Sequence, residues 1–107
     1  MTVEQILNAK GKNVYSVLST TTVYEALKVM GEKNIGAILV IDGSDLKGIL
    51  SERDYARKIV LKDKSSKETF VNEIMESNVF SVKLSNKIED CMELMSTKRI
   101  RHLPVLE

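Results

Sequence analysis

Tryptophan is missing from this chain of 107 residues, and proline, cysteine and histidine occur once each. A lone cysteine, Cys91, can close no internal disulfide, and with a single histidine there is no Cys/His cluster of metal-ligand spacing. Neither a nucleophile elbow nor a phosphate-binding loop of the Walker type is present, so no catalytic constellation is visible and the chain does not read as an enzyme. Long apolar runs are also missing, as is a basic leader followed by an apolar stretch, which argues against a membrane span or a secretory signal. Lysine and arginine (16) nearly cancel aspartate and glutamate (15), leaving a formal charge of +1 and no overall field to draw in nucleic acid or an anionic membrane. Aromatics at 5% supply no stacking platform for bases. These absences together predict a cytoplasmic protein of a reducing compartment, with no nucleic-acid partner, no membrane partner, no metal and no catalytic cofactor.

What the chain does have is a copy of itself. Residues 14–42 moved forward by 65 positions fall on residues 79–107 without a gap. Val14-Tyr15-Ser16-Val17 becomes Val79-Phe80-Ser81-Val82, and the apolar set Val23, Ala26, Leu27, Met30 becomes Ile88, Cys91, Met92, Met95. The run Ile35 to Ile41 becomes Ile100 to Leu106. The approach repeats too, because Val3, Ile6, Leu7 reads like Val71, Ile74, Met75 at a slightly different spacing. Two units this short have to share a core, so the pair is the folding unit. The predicted organisation is a first repeat with its N-terminal segment over 1–61, a polar, charge-rich linker over 62–70, and a second repeat over 71–107.

Each unit opens with a short extended piece, Tyr15-Ser16-Val17 or Phe80-Ser81-Val82. A helix follows, announced by capping-box spacing at Thr22-x-x-Glu25 and at Asn86-x-x-Glu89, with apolar residues at i, i+3, i+4 and i+7 burying one face. Cys91 aligns with Ala26 on that stripe and reads as a small core residue. Continuous apolar runs come next, Ala37 to Ile41 and His102 to Leu106, as expected of strands covered on both faces. Asp42-Gly43-Ser44-Asp45 suits a hairpin turn returning as Leu46 to Leu50. Ser51 then caps a helix carrying Asp54 to Val60, which gives the order β-α-β-β-α. In the second unit Glu107 aligns with Asp42, so the returning strand and last helix have no counterpart. An open edge bearing Leu103, Val105 and Leu106 invites pairing. The expectation is that a continuation of the chain or a neighbouring chain covers it.

Ser51-Glu52-Arg53-Asp54 joins a strand end to a helix start, where backbone N–H groups can face an anion. Asp54 could accept hydrogen bonds from two adjacent hydroxyls, or it could simply complete a capping box with Ser51. Gly36 and Ala37 precede the apolar strand, and their small size would let a flat group approach the backbone or let helix and strand pack tightly. Arg53 and Arg57 lie one turn apart and could pair with phosphate or solvate a surface.

The tandem order, the phrase Arg101-His102-Leu103-Pro104-Val105 and the segment Gly48-Ile49-Leu50-Ser51-Glu52-Arg53-Asp54 resemble a pair of CBS domains, a Bateman module. The stretch from Ser51 through Lys67 resembles stand-alone bacterial and organellar CBS-pair proteins. The resemblance implies an α+β fold of two β-α-β-β-α repeats packed with pseudo-two-fold symmetry, the second truncated at Glu107. It implies a homodimer, and a regulatory module sensing an adenosine-containing nucleotide (AMP, ADP or ATP, with NAD(H) or S-adenosylmethionine as further candidates) in a cleft between repeats. A ligand-independent dimerisation module is the alternative. By the same resemblance Asp54 would hold the ribose and Gly36 and Ala37 would flank the base. Val79, Phe80 and Ser81 would approach the base from the other repeat, and Arg101 and His102 would meet phosphate. Two features depart from the family pattern. Ser19 and Leu84 stand where a proline is usual, and the second repeat lacks its own Ser/Thr-x-x-Asp motif, which makes its cleft the poorer nucleotide site.

Overall fold

The computed structural model describes residues 1–11 and 13–106, so Glu107, matched in sequence to Asp42, lies outside the described residues. The order is α1 (Val3–Lys10), β1 (Ser16–Val17), α2 (Val23–Lys33), β2 (Ala37–Asp42), β3 (Asp45–Ser51), α3 (Glu52–Tyr55) with a π-helical turn over Ala56–Val60, a 3₁₀ turn over Val71–Glu73, β4 (Val82–Lys83), α4 (Ile88–Lys98) and β5 (Val105–Leu106). This is the α+β mixture the repeat predicts. Helices α2 and α4 begin and end 65 residues apart. Each stops on a non-glycine residue in the left-handed region, Asn34 at φ 55° and Arg99 at φ 56°. Each ending is then tied by the same bond, Ile35 N–H to the Met30 carbonyl and Ile100 N–H to the Met95 carbonyl.

The chain forms two compact units that do not coincide with the two repeats. One comprises residues 15–78, and the other joins 1–14 to 79–107. In the first, β1 runs parallel to β2 and β2 antiparallel to β3, with Val17 opposite Val40 and Ala37 opposite Ser51. The core gathers Val23, Ala26 and Met30 from α2, Ile38 and Val40 from β2, Leu50 from β3, and Ile59, Val71 and Ile74. Ile38 and Val40 are fully buried, whereas Ala37, Leu39 and Ile41 are only half-buried. The strand therefore alternates, where the continuous apolar run predicted cover on both faces. Gly43, at φ 62°, makes the hairpin turn between β2 and β3, a conformation that glycine adopts without steric cost.

Segment 71–76 completes this unit. Val71 N–H bonds the Thr21 carbonyl, Asn72 N–H bonds the Ser19 carbonyl, and Ile49 and Glu76 exchange both backbone bonds along the outer edge of β3. The polar, charge-rich linker is also held, with Val23 N–H on the Thr69 carbonyl and Tyr24 N–H on the Ser66 carbonyl.

The other unit repeats the arrangement using α1 in place of segment 71–76. Val3 N–H bonds the Asn86 carbonyl and Glu4 N–H the Leu84 carbonyl. These acceptors are the positions that correspond to Thr21 and Ser19. Val3 packs with Val82 and Cys91, joined by half-buried Leu7, Ile88, Leu94, Leu103 and Val105. Each repeat thus gives its opening segment to the unit built mainly from the other. The boundaries 1–61, 62–70 and 71–107 divide the sequence by repeat, but they do not divide the structure by unit.

Three local expectations change. The second helix is capped one residue later than Asn86-x-x-Glu89 implies: Lys87 precedes the helix and its N–H donates to the Asp90 carboxylate at 3.2 Å, while Asn86 Oδ1 closes the preceding turn by accepting from Lys83 N–H. In the first helix the box is half built, because Thr22 Oγ1 accepts from Glu25 N–H at 3.2 Å while Thr22 itself bridges Phe70. Finally, β5 shrinks to Val105–Leu106 and β4 starts at Val82, so Phe80, Ser81 and His102 are not in strands. Pro104 has no N–H to give a parallel ladder, and only its carbonyl contributes, accepting from Val82 N–H at 3.0 Å.

Candidate functional site

The β2–β3 pairing brings four of the expected residues to one place. Ala37 lies opposite Ser51 in the ladder, and the Gly36 carbonyl accepts the Glu52 N–H at 3.0 Å, so the start of β2 sits against the start of α3. Ser51 is the N-cap, with its Oγ accepting from Asp54 N–H at 3.2 Å. The Asp54 side chain reaches back, and its Oδ2 accepts from Ser51 N–H at 3.0 Å and from Ser51 Oγ at 2.9 Å. The capping box is therefore formed.

That geometry fixes what the carboxylate can still do. Oδ2 is committed to Ser51. Oδ1 faces the Lys58 ammonium at 3.6 Å, and the Asp54 side chain is 19% exposed. Lys58 Nζ is held from the other side by the Ile74 carbonyl at 2.9 Å. The N–H groups of Glu52 and Asp54 are likewise spent on Gly36 and Ser51, and α3 is only four residues long. An anion here would thus rely on side chains more than on the helix end that the sequence pattern emphasised. Arg53 in α3 and Arg57 in the π-helical turn are both exposed.

Val79, Ser81, Arg101 and His102 belong to the unit that joins residues 1–14 to 79–107, in the stretches before β4 and β5. Val79 and Phe80 are half-buried there, and Ser81, Arg101 and His102 are exposed. The Phe80 ring lies under the Lys98 ammonium at 5.1 Å, as the Tyr15 ring lies under Lys33 at 5.3 Å in the other unit. Lys98 and Lys33 are equivalent in the repeat, so the cation–π pair is duplicated with it.

An open cavity of about 530 Å³ adjoins Gly36 and is lined by Leu27, Met30 and Ile35 together with Glu52, Tyr55 and Ala56. Glu52, Tyr55 and Ala56 share one side of the α3 turn, while Asp54 and Lys58 share another. Gly36 is common to both places. The sequence reading missed Lys58. The spacing Asp54-x-x-x-Lys58 is the available signal for its ion pair, but nothing local announces the Ile74 carbonyl.

Cys91 is buried against Val3 and Val82. Burial, and then the Asp90 charge, push its thiol above the usual range, which suits a core residue and disfavours the thiolate a nucleophile needs. Among the described residues no helix is long and apolar enough to cross a membrane.

The doubled β-α-β unit, the strand-to-helix Ser-x-x-Asp junction and the small residues beside it define a tandem CBS-domain module. The signature of the CBS domain matches residues 3–61 and again residues 71–107, and the chain belongs to that family. It is 39% identical over 115 aligned positions to the mitochondrial CBS domain-containing protein CBSX3 of Arabidopsis thaliana, an alignment covering 99% of this chain and 56% of that relative. A CBS-domain protein from Burkholderia ambifaria MC40-6 superposes with a TM-score of 0.96 at 52% identity, over 100% of this chain and 81% of that one. The CBS domain pair of protein MJ0100, solved in complex with 5′-methylthioadenosine and S-adenosyl-L-methionine, superposes with a TM-score of 0.86 at 25% identity, over 100% of this chain and 81% of that one.

Proposed function

We propose that this chain is a regulatory module that binds an adenosine-containing ligand at the junction of β2 and α3. The single observation that carries the reading is the fixed Asp54 carboxylate. Ser51 orients it, one oxygen stays open, and Gly36 and Ala37 stand beside it with little side-chain bulk. A carboxylate held in one rotamer by its neighbours is prepared to accept from a ribose hydroxyl without first being ordered. The adenosine compounds bound to the CBS pair of MJ0100 support the ligand class. Arg53 and Arg57, exposed on the same stretch of chain as Asp54, are the further groups through which phosphate recognition would act. AMP, ADP, ATP, NAD(H), S-adenosylmethionine and 5′-methylthioadenosine share the adenosine moiety that this site reads.

The test is thermal unfolding with each compound. A ligand bound only by the folded form adds about 2.7 kcal/mol at a hundredfold excess over Kd, which raises Tm by roughly 10 °C or more in a domain of this size. Asp54→Ala should fold and lose the shift. Unchanged Tm with all six compounds rejects the proposal.

A second reading is a ligand-independent homodimer. The open apolar cavity lined by Leu27, Met30, Ile35 and Tyr55 favours it, because a second copy could fill that space. Light scattering with and without nucleotide separates the two readings: a dimer indifferent to every adenosine compound supports the second alone.

A further inference from the structure

The function proposed above places a ribose on Asp54, and two carboxylate oxygens accepting from two hydroxyls would be the simplest form of that contact. The geometry does not leave both oxygens available. Oδ2 already accepts from Ser51 N–H at 3.0 Å and from Ser51 Oγ at 2.9 Å. Only Oδ1 is open, and 3.6 Å from it stands the Lys58 ammonium.

Lys58 is not a loose surface cation. Its Nζ donates to the Ile74 carbonyl at 2.9 Å, which fixes the far end of a side chain that is otherwise free to rotate. The side chain is still 44% exposed, so solvent or a ligand can reach the ammonium. An ammonium has three N–H donors. One is engaged by Ile74, one faces Asp54, and one remains. The carboxylate and the ammonium together present one acceptor and one donor side by side, each held by a partner outside the pair.

Resting on the adenosine reading, we propose that Lys58 is a specificity-determining residue of the site. One ribose hydroxyl donates to Asp54 Oδ1, and the oxygen of its neighbour accepts from Lys58 Nζ. This pairing suits a vicinal diol, since each hydroxyl both donates and accepts and the two can take complementary roles. A 2′- or 3′-deoxy sugar leaves either the open carboxylate oxygen or the ammonium donor without its partner. Both groups are charged, and hydrogen bonds to charged groups are the ones whose loss is most costly.

The experiment measures binding of adenosine, 2′-deoxyadenosine and 3′-deoxyadenosine by calorimetry to the wild-type chain, Lys58→Met, Lys58→Arg and Asp54→Ala, with Tm recorded for each. Wild type should prefer the ribose by about tenfold or more over either deoxy compound. In Lys58→Met the affinity for adenosine should fall and that preference should shrink several-fold. Lys58→Arg, which keeps donors for both Ile74 and the sugar, should restore it. The ribose-to-deoxyribose ratio is the deciding quantity, because a purely structural role for Lys58 would lower Tm and weaken all three nucleosides alike. If Asp54→Ala abolishes binding while Lys58→Met keeps the wild-type ratio, the role of Lys58 is overturned and the adenosine site stands. If wild type binds none of the three nucleosides, the role of Lys58 falls, and the adenosine reading stands or falls on the thermal test with the six compounds above.

Discussion

A Cβ placed on Gly48 would stand 2.7 Å from the carbonyl oxygen of Glu76. The same added atom would meet Met75 Sδ at 2.7 Å, so backbone and side chain of one segment crowd the site together. Segment 71–76 therefore lies on β3 as closely as it does because residue 48 has no side chain.

Gly48→Ala is expected to lower unfolding stability by about 1–3 kcal/mol, the range for overpacking a well-filled site. Urea denaturation of the two proteins measures it. A variant as stable as wild type would mean that the segment can lift from β3 without loss.

Ser19 and Asp42 provide a pH signature. The Ser19 hydroxyl, and after it the Ser19 N–H, donate to the Asp42 carboxylate and hold its carboxyl below the usual carboxylate range. A folded-state value below the unfolded one means that the unfolded chain takes up the proton first. The stabilisation is therefore complete above the ordinary carboxylate range and is lost as pH falls through the lowered folded value. Ser19→Ala should be less stable near neutrality, and the difference should close in acid. Melting curves across that range test this, and a gap between the two proteins that stays constant with pH would reject it.

Ile74 tests the exchange of opening segments. It is 2% exposed in the core of residues 15–78, although by sequence it belongs to the second repeat. Ile74→Ala should cost about 2–5 kcal/mol, as buried aliphatic truncations do. Hydrogen exchange should then show the loss of protection at Val23, Ile38 and Leu50, residues of the first repeat. Protection lost only within residues 79–107 would contradict the assignment of this side chain to that core.

Much of this was legible in the residues themselves. The apolar period and the offset of the repeat place α2 and α4, because both signals are local and each reinforces the other. The hairpin residues Asp42 to Asp45 place β3 beside β2, and that pairing alone brings Ser51 opposite Ala37. Other features depended on partners that no window of sequence contains. Asn86 looked like a cap because its residue type suits one, yet its side chain closes the turn at Lys83 and Asp90 does the capping. His102 to Leu106 has the apolar content of a full strand, but Pro104 has no N–H to give the ladder and the strand is confined to Val105–Leu106. The lead-in segments are alike in sequence, and likeness does not say which unit each one joins. Lys58 follows the same rule: its ion-pair spacing to Asp54 can be seen, but its anchor on Ile74 exists only in the folded chain.

The crossing of the lead-ins has a practical corollary for anyone dissecting the molecule. A protein ending at Leu61 would lack Val71 and Ile74 from its own interior while carrying an α1 whose apolar side has nowhere to go. Severing the polypeptide at the repeat junction would accordingly yield two unfinished pieces, each holding the stopper that fits the other, and only their coexpression would return a soluble species.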